Sequence, residues 1–208
     1  LAVPDSVMLI VSPGCCGRNT SVLSSMRAYQ DRFYYLLMDE TDIVTGRHLK
    51  KIPKAVVEIC EGLKKKPSVV MICITCVDAL LGTDMERVCH KAEEYAGIPV
   101  KPCYMYALTR EGRKPPMVHV RQSIYSLLEP KKKKGNVVNL LGYFSPLVDD
   151  CELYELLHGA GVKTIHEISR CSDYAEYQTM AEANFNLVLH PEARFAAEDF
   201  HDRLKIPY

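Results

Sequence analysis

The chain carries no net charge, with 26 Lys and Arg against 26 Asp and Glu. A phosphate backbone selects for a basic face, so nucleic acid is not expected as a partner. The same balance, with a hydrophobic fraction of 48%, excludes disorder, which combines few apolar residues with a large net charge. Long hydrophobic runs are missing as well. Runs such as Val7 to Val11 and Val69 to Ile74 hold five and six residues, and none is longer than six, whereas a membrane-spanning helix needs about 20. No membrane partner is expected. Leu1 to Asp5 show no basic segment leading into an apolar stretch, so no signal peptide is visible and a cytoplasmic protein is expected. The chain opens on Leu1 rather than Met, which suggests a trimmed piece of something longer. Neither G-x-G-x-x-G nor G-x-x-x-x-G-K-[ST] occurs, which leaves a nucleotide-phosphate site with little support.

Cysteine is what the chain has in excess. There are 9 in 208 residues, an odd number in a chain neither short nor loop-rich, unlike disulfide-stapled secreted domains. Cys15, Cys16, Cys60, Cys73, Cys76 and Cys89 all fall in the first half. Reduced thiols are expected, some as small buried hydrophobes and some free to bind a metal or cluster.

Short apolar runs alternate with helical periodicity along the whole chain. Val7–Val11, Phe33–Met38, Val69–Ile74 and Val100–Tyr106 read as strands of a first half, the continuous runs as buried parallel ones. Between them Val22, Met26 and Tyr29 repeat at helical spacing. Ile52, Ala55, Val56, Ile59 and Leu63 make one apolar stripe, and Met85, Val88, Ala92 and Tyr95 another. Val118 to Leu128 is the last helix of this half. Lys131 to Lys134, between Pro130 and Gly135, reads as a solvated linker. The alternation then restarts. Strands are expected at Val137–Leu141, Thr164–Ile168 and Phe185–Leu189, and helices around Leu153–Ala160, Tyr174–Ala183 and Ala193–Leu204. Asp149 or Asp150 and Gly161 are the expected caps of the first of these helices. Two successive doubly wound, Rossmann-like α/β parallel-sheet domains follow, residues 1–129 and 130–208, with 130–135 as the linker.

In doubly wound sheets the ligand site lies at the carboxyl ends of the strands. After the first strand stands Ser12-Pro13-Gly14-Cys15-Cys16-Gly17-Arg18, read as a turn that exposes two thiols. After the third stands Cys76, with Cys73 inside the strand. If these strands are neighbours, Cys15 or Cys16 and Cys76 converge. Thiolates from separate turns with no histidine beside them suit an iron–sulfur cluster better than catalytic zinc. Cys73-Ile-Thr-Cys76 is also open to reading as a thioredoxin-like dithiol, although Cys73 lies within an apolar strand and the next helix is expected to start near Asp84. Structural zinc wants paired C-x-x-C motifs, and one pair exists. The 7 histidines are scattered and read as surface or capping residues.

Three segments together resemble the nitrogenase component 1 family, whose members include the nitrogenase alpha and beta subunits, their cofactor-assembly scaffold and the dark-operative protochlorophyllide reductase. Pro13-Gly14-Cys15-Cys16-Gly17 resembles the family's cluster-binding Gly-Cys turn. Thr41-Asp42-Ile43-Val44-Thr45-Gly46 resembles its Asp-Ile-Val-x-Gly segment. Thr75-Cys76-Val77-Asp78-Ala79-Leu80-Leu81-Gly82-Thr83-Asp84 resembles its Cys-x-x-x-Leu-x-Gly-Asp-Asp run. Asn139-Leu140-Leu141-Gly142 and Lys205-Ile206-Pro207-Tyr208 extend the likeness through the second half.

The resemblance implies an oxidoreductase subunit that takes electrons from an ATP-dependent iron–sulfur reductase protein and passes them through a [4Fe–4S]-type cluster to an unidentified substrate. A homologous component-1-type subunit would be its partner. It carries over Cys16 and Cys76 as metal ligands, with Cys15 as an extra thiol able to replace or compete with Cys16, and Gly17 and Gly82 as cofactor-binding positions. A scaffold on which a cofactor is built, or a cytosolic thiol oxidoreductase using Cys73 and Cys76, are the alternatives. The chain departs from the family in having no cysteine before Cys15, in stopping where a third domain is expected, and in its last strand-end turn. There Leu189-His190-Pro191-Glu192-Ala193-Arg194 has no thiol to hold a molybdenum–iron cofactor. A true dinitrogenase is therefore not expected.

Overall fold

The computed structural model describes residues 2–26, 30–104 and 115–208. Its chain divides into two compact units, Asp5–Val120 and Arg121–Tyr208, the latter joined by Ala2–Pro4.

The first unit is a parallel sheet of β1 (Ser6–Ser12), β2 (Phe33–Leu37), β3 (Val69–Ile74) and β4 (Val100–Tyr104) in the order β2-β1-β3-β4. Between the strands run α1 (Gly14–Met26), α2 (Glu40–Thr45), α3 (Arg47–Gly62), α4 (Cys76–Leu81) and α5 (Met85–Ala96). β1 and β3 are continuous apolar runs because helices cover both faces of a parallel sheet. They pair from Ser6↔Val69 to Val11↔Ile74. One face sends Val7, Leu9, Val11, Val70, Ile72 and Ile74 into a core closed by Ile52, Val56 and Ile59 of α3 and Met85, Cys89 and Ala92 of α5. The expected stripes on these two helices face this core, with Ala55, Leu63 and Val88 half-buried at its margin and Tyr95 exposed.

α1 departs from expectation. Cys15 and Cys16 lie in its first turn rather than on a free loop, and Val22 and Met26 are exposed instead of buried. Tyr29 and the last two residues of the expected fourth strand fall outside the described residues. α6 (Pro116–Tyr125) crosses the division between the units.

The second unit holds a parallel sheet of β5 (Val137–Leu141), β6 (Thr164–His166) and β7 (Phe185–Val188) in the order β6-β5-β7. Its helices are α7 (Glu152–Gly159), α8 (Tyr174–Thr179) and α9 (Arg194–Leu204). Tyr125, Tyr177 and Phe200 are its largest buried side chains. Tyr125 meets Phe200 edge-on at 5.2 Å between centroids, and Tyr177 donates to Ile124 O at 2.5 Å. On the expected apolar face of α7, Leu153 and Leu157 are only half-buried and Leu156 and Ala160 are exposed, and Cys151 rather than an aspartate caps that helix. β6 is shorter than expected because the chain turns into a 3-10 segment at Ile168–Arg170. The lysine run is partly engaged: Lys133 Nζ donates to Ala181 O at 2.6 Å, and Lys134 pairs with Glu182.

Candidate functional site

The strand order reverses its direction of growth between β1 and β3, and this switch point is where doubly wound sheets place ligands. β1 leads through Pro13 into α1, and β3 leads through Thr75 into α4. Cys16 sits in the first turn of α1, where its N–H donates to Pro13 O at 3.1 Å. Cys76 opens α4. Paired Val11 and Ile74 therefore bring both cysteines to the same end of adjacent strands.

Cys15 and Cys16 are exposed, and Cys76 is half-buried. The Cys15 and Cys16 sulfurs are 3.9 Å apart. Desolvation, then the Cys15 thiol, then Cys76 raise the Cys16 pKa. Among the described residues, no three His, Cys, Asp or Glu side chains converge as a self-sufficient metal site.

Gly17 lets α1 lie close to the sheet. A Cβ there would stand 3.1 Å from Tyr35 Cδ1 and 3.4 Å from Ser12 Oγ. Gly82 closes α4 at φ 64°, with its N–H donating to the carbonyls of Ala79 and Asp78. Gly17 thus shapes the backbone beside Cys16, and Gly82 ends the helix that Cys76 opens.

The donors present fit a cysteine-ligated iron–sulfur group. The thiols open helices at adjacent strand ends, and each has a buried hydroxyl close by in the chain, Ser12 Oγ before Cys16 and Thr75 Oγ1 before Cys76. Neither hydroxyl has a hydrogen-bond partner among the described residues. A buried donor without an acceptor costs about 1–3 kcal/mol, and sulfur is an acceptor such a group can use.

Behind Cys76 lies a buried polar network that the scattered-histidine expectation missed. His48 is 1% exposed. Its Nδ1 is 3.0 Å from Asp42 O and its Nε2 3.0 Å from Asp78 Oδ1. Thr83 Oγ1 donates to the same Asp78 oxygen at 3.1 Å. Lys51 Nζ donates to Asp42 Oδ2 at 2.6 Å, and that bond, ahead of the other causes, lowers the Asp42 pKa. Asp42 and Asp78 belong to the second and third family-like segments. Their shared membership in those segments is the one sequence signal that could have pointed here.

Cys73 does not face Cys76 as a dithiol would. Its side chain meets Cys103, which with burial pushes its pKa far above the usual thiol range. In the second unit, the turn after β7 places His190 Nδ1 to accept from Glu192 N at 3.3 Å, the capping role expected of it. Glu192 in turn holds Arg121 at 2.9 Å.

The sequence model of the nitrogenase component 1 type oxidoreductases matches residues 1–208. The chain belongs to that family. The nitrogenase iron-molybdenum cofactor biosynthesis protein NifE of Nostoc sp. is 26% identical over 215 residues, covering 99% of this chain and 44% of that protein. NifE of Rhizobium meliloti is 28% identical, covering 81% and 36%, and NifE of Methanococcus maripaludis is 24% identical, covering 100% and 44%. This family member therefore spans less than half the length of these relatives. The fold matches nitrogenase Cp1 as solved at pH 5, with a TM-score of 0.71 at 21% identity over 99% of this chain and 43% of that one. The form at pH 6.5 gives 0.72 at 17% identity over 99% and 50%. Among the described residues no helix is long and apolar enough to cross a membrane.

Proposed function

We propose that this chain supplies one side of a [4Fe–4S]-type centre, held by the Cys16 and Cys76 thiolates, in a nitrogenase-like oxidoreductase subunit. Cys15 is the reserve ligand beside Cys16, and Gly17 and Gly82 keep the backbone close to the bound group. The observation that carries this reading is the placement of Cys16 and Cys76 at helix starts on adjacent strand ends of the β1/β3 switch point. When bound, such a centre takes up and releases single electrons. The chain's own part is to present thiolates, to approach them with hydroxyl donors and to leave the coordination open to a partner.

The partner in this reading is a homologous component-1-type subunit. Exposed Val22 and Met26 lie on the helix of Cys16, and exposed Leu80 and Leu81 on that of Cys76. Apolar side chains on both thiol-bearing helices favour a protein surface over open solvent. An ATP-dependent iron–sulfur protein is the electron donor. The substrate is not dinitrogen, because the 189–194 turn offers His190 and Glu192 where a thiolate would anchor a sulfide-bridged metal cofactor.

A second reading is favoured by the relatives, which are named for cofactor biosynthesis. In it the same centre is built here and handed on. Electron paramagnetic resonance of the full-length protein with its reduced iron–sulfur donor and MgATP separates the two. A reductase centre becomes reduced only when ATP is present. A scaffold centre stays unreduced and its iron and sulfide move to an apo-acceptor. An iron-free protein would overturn both.

A further inference from the structure

The helix that presents Cys76 is held to its unit in an unusual way. α4 has 6 residues, far below the length at which a helix is stable by itself, so tertiary contacts must hold it. An apolar face is the common anchor, yet Leu80 is 72% and Leu81 53% exposed. The one buried residue of α4 is Asp78. Its Oδ1 meets His48 Nε2 at 3.0 Å and Thr83 Oγ1 at 3.1 Å, and its backbone carbonyl accepts from Thr83 N at 3.0 Å. Thr83 is part of the same local turn. Among the described residues, His48, thirty positions earlier on α3, is the side-chain hydrogen-bond tie from α4 to the rest of the unit.

His48 is itself fixed. Its ring is buried, and its other nitrogen is 3.0 Å from Asp42 O. Asp42, in turn, is tied to α3 by Lys51 at 2.6 Å and faces Arg47 at 3.9 Å. A rigid imidazole therefore spans from α2 to α4 and meets the carboxyl two residues beyond the Cys76 thiol.

We propose that His48 is a positioning residue for Cys76, setting the place of that thiol through Asp78. The proposal deepens the cluster reading, since a ligand thiolate must be held in one geometry before the group arrives. Removing the imidazole leaves the buried Asp78 side chain without its hydrogen-bond partner from α3, which loosens α4 locally rather than the sheet behind it.

The test uses the metal-free chain and two variants, His48→Leu and His48→Gln, with peptide-resolved hydrogen exchange and iodoacetamide labelling of individual cysteines. In His48→Leu, exchange over residues 76–83 and labelling of Cys76 should rise on the order of tenfold, while Cys16 labelling and exchange in β1 and β3 stay at wild-type rates. In His48→Gln, an amide N–H reaches the carboxylate, and the Cys76 rate should lie between those of wild type and His48→Leu, still above wild type. A Cys76 rate in His48→Leu that changes no more than that of Cys16 overturns the proposal. Should His48→Leu fail to fold, His48→Gln decides: a small rise confined to 76–83 supports the proposal, and an unchanged or uniformly raised pattern overturns it. Separate iron loading of the wild type keeps the two readings distinct. A full-length protein that takes up no iron even with its partner subunit loses the cluster reading, while the labelling and exchange results still judge the role of His48.

Discussion

Cys73 and Cys103 are register partners on β3 and β4, and their thiols interact across the parallel pair. The hydrogen bond to Cys103 and burial hold the Cys73 pKa well above the usual thiol range. Thiol reactivity follows thiolate fraction and access, so the cysteines should separate by rate. Iodoacetamide at neutral pH is expected to modify exposed Cys15 first. Cys89, raised to about 12 chiefly by burial, and buried Cys103 should stay unmodified in the native chain. Labelling of Cys89 or Cys103 as fast as Cys15 would contradict the burial described.

Gly17 brings α1 onto Tyr35 and Ser12. Gly17→Val places branched carbons where even a Cβ would be 3.1 Å from Tyr35, and overpacking of this kind costs about 1–3 kcal/mol. The expected outcome is a lower urea midpoint, with faster labelling of Cys16 as the start of α1 shifts. An unchanged midpoint would show that Tyr35 yields freely.

His166 should make the second unit acid-sensitive. Desolvation lowers its pKa from the usual 6.5, so folding favours the neutral ring. Between the folded value and 6.5 the unfolded chain binds more proton. The stabilisation is fully present above about 6.5 and fades as pH falls towards the folded pKa. Thermal melting at pH 7.5 and pH 5 should show a larger loss in wild type than in His166→Gln. Equal losses would place the acid sensitivity elsewhere.

Buried parallel strands leave a plain trace in sequence, because both faces must be apolar. Val7–Val11 and Val69–Ile74 therefore marked β1 and β3, and with them the positions of Cys16 and Cys76. α4 left no such trace. Its leucines are exposed and its anchor is an aspartate, which inverts the pattern that periodicity detects. His48 was invisible for a related reason: its partner is thirty positions away, and a single polar residue near a helix start carries no local signal. α7 misled in the other direction, since Leu153, Leu156 and Leu157 repeat as a core stripe would, yet no residue of that helix is buried. The closeness of α1 to the sheet depends on the missing side chain at Gly17, a feature composition cannot show.

The central claim is that Cys16 and Cys76 hold an iron–sulfur centre together with a partner subunit. Anaerobic purification of the full-length protein with the subunit that accompanies it, followed by iron and acid-labile sulfide analysis of wild type, Cys16→Ala and Cys76→Ala, tests it most directly. The account predicts about four iron and four sulfide per centre in wild type, with most of both lost in Cys76→Ala. The loss should be smaller in Cys16→Ala if Cys15 takes over and complete when both neighbouring thiols are removed. Iron and sulfide retained at the wild-type level without Cys76, or absent from the wild type itself, would contradict it.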